Sequence, residues 1–244
     1  MDTFNQLIRY ALSIALMVPM LGAALIVAPI SLDLSWIIAR NWNRTMMKIF
    51  GIAVEVKFDS KQSQLEEGGV LVVLTQQSLM TPAAIISASD KRFMSISNIE
   101  YALIPFLGWL SFPMGWVIIK QWPEQAKRQL RKAVLYARDG GLVLISAEGK
   151  RSVDGELNPF KKGAAVLPIE SQALIHPLYI AGARQCLPVG DWRIKPGKIV
   201  LHYLAPIPTK GLSYEDRNSL LENLRAVAEV EHAQCKQGNE SYTY

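Results

Sequence analysis

Two short polar stretches hold the side chains best suited to chemistry. Thr75 to Thr81 reads Thr-Gln-Gln-Ser-Leu-Met-Thr and lies between the apolar run Val70 to Leu74 and Pro82. Its amides and hydroxyls can orient a hydroxyl group, but none takes up a proton near neutral pH. Ser146 to Ser152 reads Ser-Ala-Glu-Gly-Lys-Arg-Ser. There Arg151 offers a planar fork of donors to a phosphate, Gly149 lets an anion approach the backbone, and Glu148 adds a carboxylate. Taken alone, this second stretch also reads as a polar turn after a strand. Cys186 and Cys235 form no CxxC pair and no metal spacing, so no metal site is expected and a reducing compartment is.

Each stretch follows an aliphatic segment, and the expected frame is α/β. Val70 to Leu74, with three valines among five aliphatic residues, predicts a strand buried on both faces. Thr75 to Thr81 is then the loop at its C-terminal end, with Pro82 in the first turn of a helix. In open α/β sheets that crevice is where ligands bind. Leu142 to Ile145 predicts a second strand leading into the Glu148 stretch. Further strands are expected at Gly51 to Phe58, Phe93 to Ile96, Gly115 to Ile119, Ala173 to Ala181 and Lys198 to Leu204. Helices are expected from Glu124 to Asp139, with Ala126, Leu130, Ala133, Val134 and Ala137 on one face, and from Ser213 to Val230, where Ser213 and Asp216 make a capping box.

The Thr75 to Thr81 loop resembles the first signature block of the glycerolipid acyltransferase family, to which the lysophosphatidic acid acyltransferases belong. That block reads Asn-His-x-Ser-x-x-Asp after a Val-rich strand. Ser78 and the spacing match, while Gln76 and Thr81 occupy the places of the His and the Asp. Ile104-Pro-Phe-Leu-Gly-Trp109 is similar to a second block, preceded here by Glu100. Gly115 to Gln121 follows a third pattern, with Gln121 where the family has an Arg and Lys120 beside it; on a strand the two would face opposite ways. Glu148, Gly149, Arg151 and Ser152 match Pro-Glu-Gly-Thr-Arg-Ser, with Lys150 for Thr, and Phe160 to Ala164 continues the pattern as Phe-Lys-Lys-Gly-Ala. Pro177 sits in the fourth, strand-like block. The matches run collinearly over roughly residues 50 to 210.

This resemblance implies a single mixed-sheet α/β acyltransferase domain flanked by helices. It implies transfer of an acyl group from acyl-CoA or acyl-carrier protein to a lysophospholipid such as 1-acylglycerol-3-phosphate, with no other cofactor. In the family the His takes the hydroxyl proton and the Asp fixes the imidazole. The positions that carry over are Gln76, Thr81 and Glu148 for catalysis, and Ser78, Gln121, Gly149, Lys150, Arg151 and Ser152 for substrate or phosphate. Two outcomes are open: an acyltransferase with an impaired centre, or a catalytically inactive pseudoenzyme that binds lysolipid or acyl thioester at the membrane. No other residue is an evident stand-in base. His176 is expected buried in its strand, His202 lies on an alternating strand, and His232 is near the C-terminal end. Glu148 would need burial to raise its pKa, against Lys150 and Arg151 lowering it.

The chain has 244 residues, half of them apolar and 19% charged, with a formal charge of +5. Its basic residues are dispersed without aromatic interleaving, which excludes nucleic acid as the expected partner and favours an anionic lipid surface. Tyr10 to Leu32 carries no charged residue and exceeds the ~20 residues a helix needs to span a bilayer. Pro19 and Pro29 would kink it. Spanning, re-entrant and in-plane placements are open, and a cleaved signal peptide is the bland alternative. Leu34 to Phe50 predicts an interfacial helix with Trp36 and Trp42 at headgroup level, or else an ordinary core helix. The basic residues from Arg40 onward assign the following domain to the cytoplasmic side of the cell (inner) membrane. The expected organisation is a membrane anchor over 1–50, an acyltransferase-like domain over 51–233 and a polar, frayed tail over 234–244.

Overall fold

The structure is a computed structural model that describes residues 3–59, 65, 68–106 and 108–237. Residues 60–64, 66 and 67, Leu107 of the Ile104–Trp109 block and the tail beyond 237 lie outside the described residues. The chain opens with a helical hairpin. α1 (Thr3–Val27) contains Pro19, and Pro29 falls in the turn that ends the helix rather than within it. α2 (Leu32–Phe50) starts at Ser31, whose Oγ accepts from Leu34 N at 3.2 Å, and stops at Gly51, left-handed at φ 71°. Trp36 and Trp42, expected at headgroup level, are instead buried, and Trp36 meets Phe93 edge to face with centroids 4.7 Å apart. α2 is thus the core helix of the two alternatives. Its arginines also face the protein: Arg40 pairs with Asp90 at 2.8 Å, and Arg44 Nε donates to Ser87 O at 2.6 Å.

The remaining elements are β1 (Ile52–Phe58), β2 (Gly69–Val73), α3 (Met80–Ala88), β3 (Met94–Asn98), α4 (Ile99–Ala102), β4 (Gly115–Ile118), α5 (Pro123–Arg138), β5 (Leu142–Ser146), α6 (Gly163–Ser171), β6 (Ile175–Ala181), α7 (Ala183–Cys186), β7 (Gly197–Tyr203) and α8 (Arg217–Gln237). The strands form one sheet in the order β1-β7-β6-β2-β5-β3-β4. Pairing is parallel everywhere except between β6 and β7, so the sheet is mixed. It follows that β2, β3, β4, β5 and β6 end at the same edge, where β7 and β1 begin.

β2 sits at the centre and every residue of it is buried. Its alternation divides the core into two layers. Leu71 and Val73 face α1, α2 and α3, whereas Val70, Val72 and Leu74 face α5, α6 and α8. Burying one such side chain is worth roughly 1.5–3 kcal/mol, and this holds the edge carrying the polar loops rigid. α5 buries Ala133, Val134 and Ala137 of its expected face. α8 extends through the beginning of the expected tail, and Ser213 N donates to the Asp216 carboxylate at 2.7 Å in the capping box before it.

Candidate active site

The two polar stretches meet at the C-terminal ends of β2 and β5, which pair in register from Gly69↔Leu142 to Val73↔Ser146. Thr75 locks the first loop to β6, its Oγ1 donating to Ile180 O and accepting from Ile180 N, both at 3.0 Å. Gln76 then touches the second stretch three times. Its N–H donates to Glu148 Oε2 (3.3 Å), its carbonyl accepts from Ser152 N (2.7 Å), and its Oε1 accepts from Ser146 Oγ (2.9 Å). Gln77 Nε2 reaches Gly155 O at 2.8 Å.

Glu148 is fully buried, at 0% exposure. Besides Gln76 N, its carboxylate accepts from Asn158 N (3.1 Å) and Asn158 Nδ2 (3.2 Å). Burial nevertheless dominates and pushes its carboxyl up to about 7. The cation opposing that rise is Arg225 of α8, not Lys150 or Arg151 as the sequence led one to expect. Arg225 Nη1 donates to the carbonyls of Leu157 (3.2 Å) and Asn158 (2.7 Å), so α8 steadies the loop that holds Glu148. Asn158, Arg225 and Ser146 carried no sequence signal as site residues, since each lies outside or at the margin of the recognisable blocks.

The other expected residues divide clearly. Gly149 turns the second loop at φ 65° and is exposed, with Lys150 exposed and Arg151 half-buried beside it. Neither Lys150 nor Arg151 forms an ion pair among the described residues, so both cations can serve an incoming anion. Ser78 and Ser152 are buried, and their hydroxyls hydrogen-bond within the protein. Ser78 Oγ donates to Leu187 O (2.7 Å) and accepts from Met80 N (3.0 Å), while Ser152 Oγ donates to Asp154 Oδ1 (2.9 Å). Thr81 lies in the first turn of α3 rather than in the loop, and its Oγ1 is buried without a hydrogen-bond partner among the described residues. Lys120 and Gln121 are exposed in a turn after β4 ends at Ile118, so strand alternation does not separate them.

No histidine takes the place left by Gln76. His176 pairs in register with Leu71, the middle residue of β2, with its ring toward Gly69 at the end away from the loop, and is buried. His202 is held between Asp59 (2.7 Å) and Glu231 (2.8 Å). His232, expected near a frayed end, is within α8 and has both ring nitrogens engaged: Nδ1 with the Tyr179 hydroxyl at 2.9 Å and Nε2 with Glu156 at 3.3 Å. No cluster of metal-ligating side chains occurs among the described residues.

The family model described as Acyltransferase matches residues 54–181, more than half of the 244-residue chain. The chain belongs to the acyltransferase family. All of the site described above except Arg225 falls within that segment. A crystal structure of the 1-acyl-sn-glycerophosphate (LPA) acyltransferase PlsC from Thermotoga maritima superposes with a TM-score of 0.78 over 96% of this chain and 95% of that one, at 22% identity. The shared architecture is therefore that of an acyltransferase domain behind an apolar N-terminal helix. Among sequence relatives, the chloroplastic 1-acyl-sn-glycerol-3-phosphate acyltransferase BAT2 of Brassica napus is 27% identical over 165 residues, 64% of this chain and 46% of that protein. The human 1-acyl-sn-glycerol-3-phosphate acyltransferase beta is 24% identical over 181 residues, 73% of this chain and 64% of that protein. The match spans less than half the length of the plant relatives.

Proposed function

We propose that this acyltransferase-family chain engages a lysophospholipid such as 1-acylglycerol-3-phosphate together with an acyl thioester of coenzyme A or acyl-carrier protein, and transfers the acyl group without a resident general base. Lys150 and Arg151 hold the acceptor phosphate. Gln76 and Ser146, hydrogen-bonded to each other, orient the acceptor hydroxyl. The oxygen–acyl bond forms as the carbon–sulfur bond breaks, and the hydroxyl proton ends on the departing thiolate. The balanced reaction consumes no proton, so the missing His slows the step instead of forbidding it. A positioned base contributes roughly 10²–10⁴ in rate, and this is the deficit expected against a site with the full dyad.

The observation carrying this reading is the junction at Gln76, where the amide stands on the same loop scaffold that in the family presents the imidazole, tied to Glu148, Ser146 and Ser152. A second reading, a binding protein with no turnover, is favoured by one fact: Glu148, the carboxylate that Gln76 touches, is buried with its oxygens held by Asn158 and Gln76. An assay with a labelled acyl thioester and lysophosphatidate separates the two. Turnover above background that disappears in Arg151→Ala supports the transferase. Lysolipid binding without turnover, with activity gained in the Gln76→His/Thr81→Asp double variant, supports the binding protein.

The site works at a membrane surface in this reading. α1 exposes Phe4, Leu7, Ile8 and Leu12 along one side, and α1 is the one described helix long and apolar enough to cross a bilayer. It is also tied to the domain near both ends: by hydrogen bonds from Gln6 to Ile194 O and from Tyr10 to Trp192 O, and by Ser35 Oγ donating to Ala24 O (2.7 Å). A helix held at both ends by one domain lies in the membrane plane, and the mild positive charge suits the anionic cytoplasmic leaflet of the cell (inner) membrane.

A further inference from the structure

A groove of about 960 Å³ opens beside Gln77 at the same sheet edge as the signature loops, and neither Lys150 nor Arg151 lines it. Its floor is the end of β6, Tyr179 to Ala181, with the start of β7; its walls are the Asp154–Glu156 turn, α7 and the last turns of α8. The size suits one elongated small molecule. Four cations line it, Arg184, Lys195, Lys198 and Lys236, against two acids, Asp154 and Glu156. Lys236 pairs with Glu156, and Lys198 pairs with Glu55. Lys195 is exposed and forms no ion pair among the described residues. Arg184 donates from Nη2 to Val153 O at 3.2 Å while its Nε is buried with no hydrogen-bond partner among the described residues. Gly155, at φ 93°, keeps this guanidinium against the turn: a Cβ there would stand 3.2 Å from Arg184 Cδ and Nε.

An acyl transfer between two phosphate-bearing molecules needs two anion subsites converging on one reacting point. The Lys150–Arg151 loop supplies one. We infer that the groove beside Gln77 is the second, taking the phosphate-bearing part of a substrate on Arg184 and Lys195 while its reacting end reaches the Gln76 loop. This rests on the acyl-transfer reading above. The shared chemistry is a phosphate ester on a long arm, and its two sources are coenzyme A and a lysophosphatidate headgroup.

The test is calorimetric titration of the full chain in lipid nanodiscs, with coenzyme A in one arm and lysophosphatidate in the other. Lys195→Glu, Arg184→Glu and Gln185→Trp, which fills the groove without changing its charge, should each weaken one of the two probes at least tenfold. The charge-reversing control Lys127→Glu, on the exposed face of α5, should not. Loss of coenzyme A affinity assigns the groove to the donor and leaves the acceptor phosphate on Lys150 and Arg151; loss of lysophosphatidate affinity assigns it to the headgroup and exchanges the two subsites, placing the donor phosphate on Lys150 and Arg151. Should Arg184→Glu fail to fold, the exposed Lys195 and Gln185 still decide. Binding that depends on Arg151 and ignores Lys195 and Gln185 keeps the acyl-transfer reading and overturns the groove. Coenzyme A bound through the groove, with lysophosphatidate bound nowhere, keeps the groove and overturns the reading. Failure of both probes to bind, or equal weakening by Lys127→Glu, overturns the groove.

Discussion

Glu148 shows how burial can outweigh the donors and the cation around a carboxyl. Its carboxyl is raised from 4.5 to about 7 because burial penalises the charged form more than three N–H donors and Arg225 favour it. A carboxyl whose folded-state pKa is raised adds stability that is complete below the unfolded value and is lost as pH climbs to the folded one. Between pH 4.5 and 7 the wild type should therefore lose about 3 kcal/mol that a Glu148→Gln variant does not lose. Chemical denaturation across that range checks the difference in slope, and parallel curves for the two proteins would contradict it. The sequence showed Glu148, Gly149 and Arg151 as a unit because the loop that holds them is local. It could not show which cation acts on Glu148, since Arg225 arrives from α8, far along the chain, and only tertiary packing brings it near.

The same contact makes α8 part of the site's support at the level of elements. Arg225 bonds two carbonyls of the loop that presents Asn158 to Glu148 and lies over the Phe160 ring, 5.3 Å from its centroid. Arg225→Ala should cost roughly 1–3 kcal/mol, typical of lost hydrogen bonds to a charged group, and should move the Glu148 carboxyl further upward. Arg225→Lys should restore the charge, and with it the carboxyl position, but not the paired bonds. Carbon-13 NMR of labelled glutamate carboxyls distinguishes this from plain destabilisation, which would leave the Glu148 titration where it is. The strands and helices themselves were largely legible, because continuous aliphatic runs mark β2 and β5 and helical spacing marks α5. The short α4 and α7 drew no expectation, and neither α6 nor the setting of α2 was legible. α6, built from Gly163 to Ser171 with Pro168 inside, lacks an amphipathic pattern because it is buried on most sides. α2 carries tryptophans beside arginines, which reads as an interfacial helix; here the rings pack under α3 and the arginines clamp Asp90. Both faces are used by protein, and composition alone does not tell protein from headgroup. Leu71→Ala, at the centre of that packing, should cost about 2–5 kcal/mol by thermal or chemical denaturation.

At the scale of the molecule, the position of α1 decides how the proposed site would meet a lipid surface. A helix crossing the bilayer would leave its two ends on opposite sides, yet here Gln6 and Tyr10 hold the first turns to the Trp192–Ile194 segment while Leu21 and Ala24 are buried near the other end. The turn Trp109–Ser111 packs against α1 and adds exposed Trp109 and Phe112. Exposed apolar side chains thus lie both on the outer side of α1 and on the turn packed against it. Each exposed aliphatic or aromatic side chain entering the acyl boundary contributes on the order of 1.5–3 kcal/mol, so a few suffice for stable but reversible docking. Phe4→Asp, Ile8→Asp and Leu12→Asp combined should release the chain from floated phosphatidylglycerol vesicles, with its circular dichroism spectrum and melting curve retained because none of the three is buried. In reconstituted vesicles, epitope tags at the two chain termini should both be cut by external protease. Protection of the N-terminal tag alone would show that α1 has left the domain and spans the bilayer, and the in-plane arrangement would then be wrong.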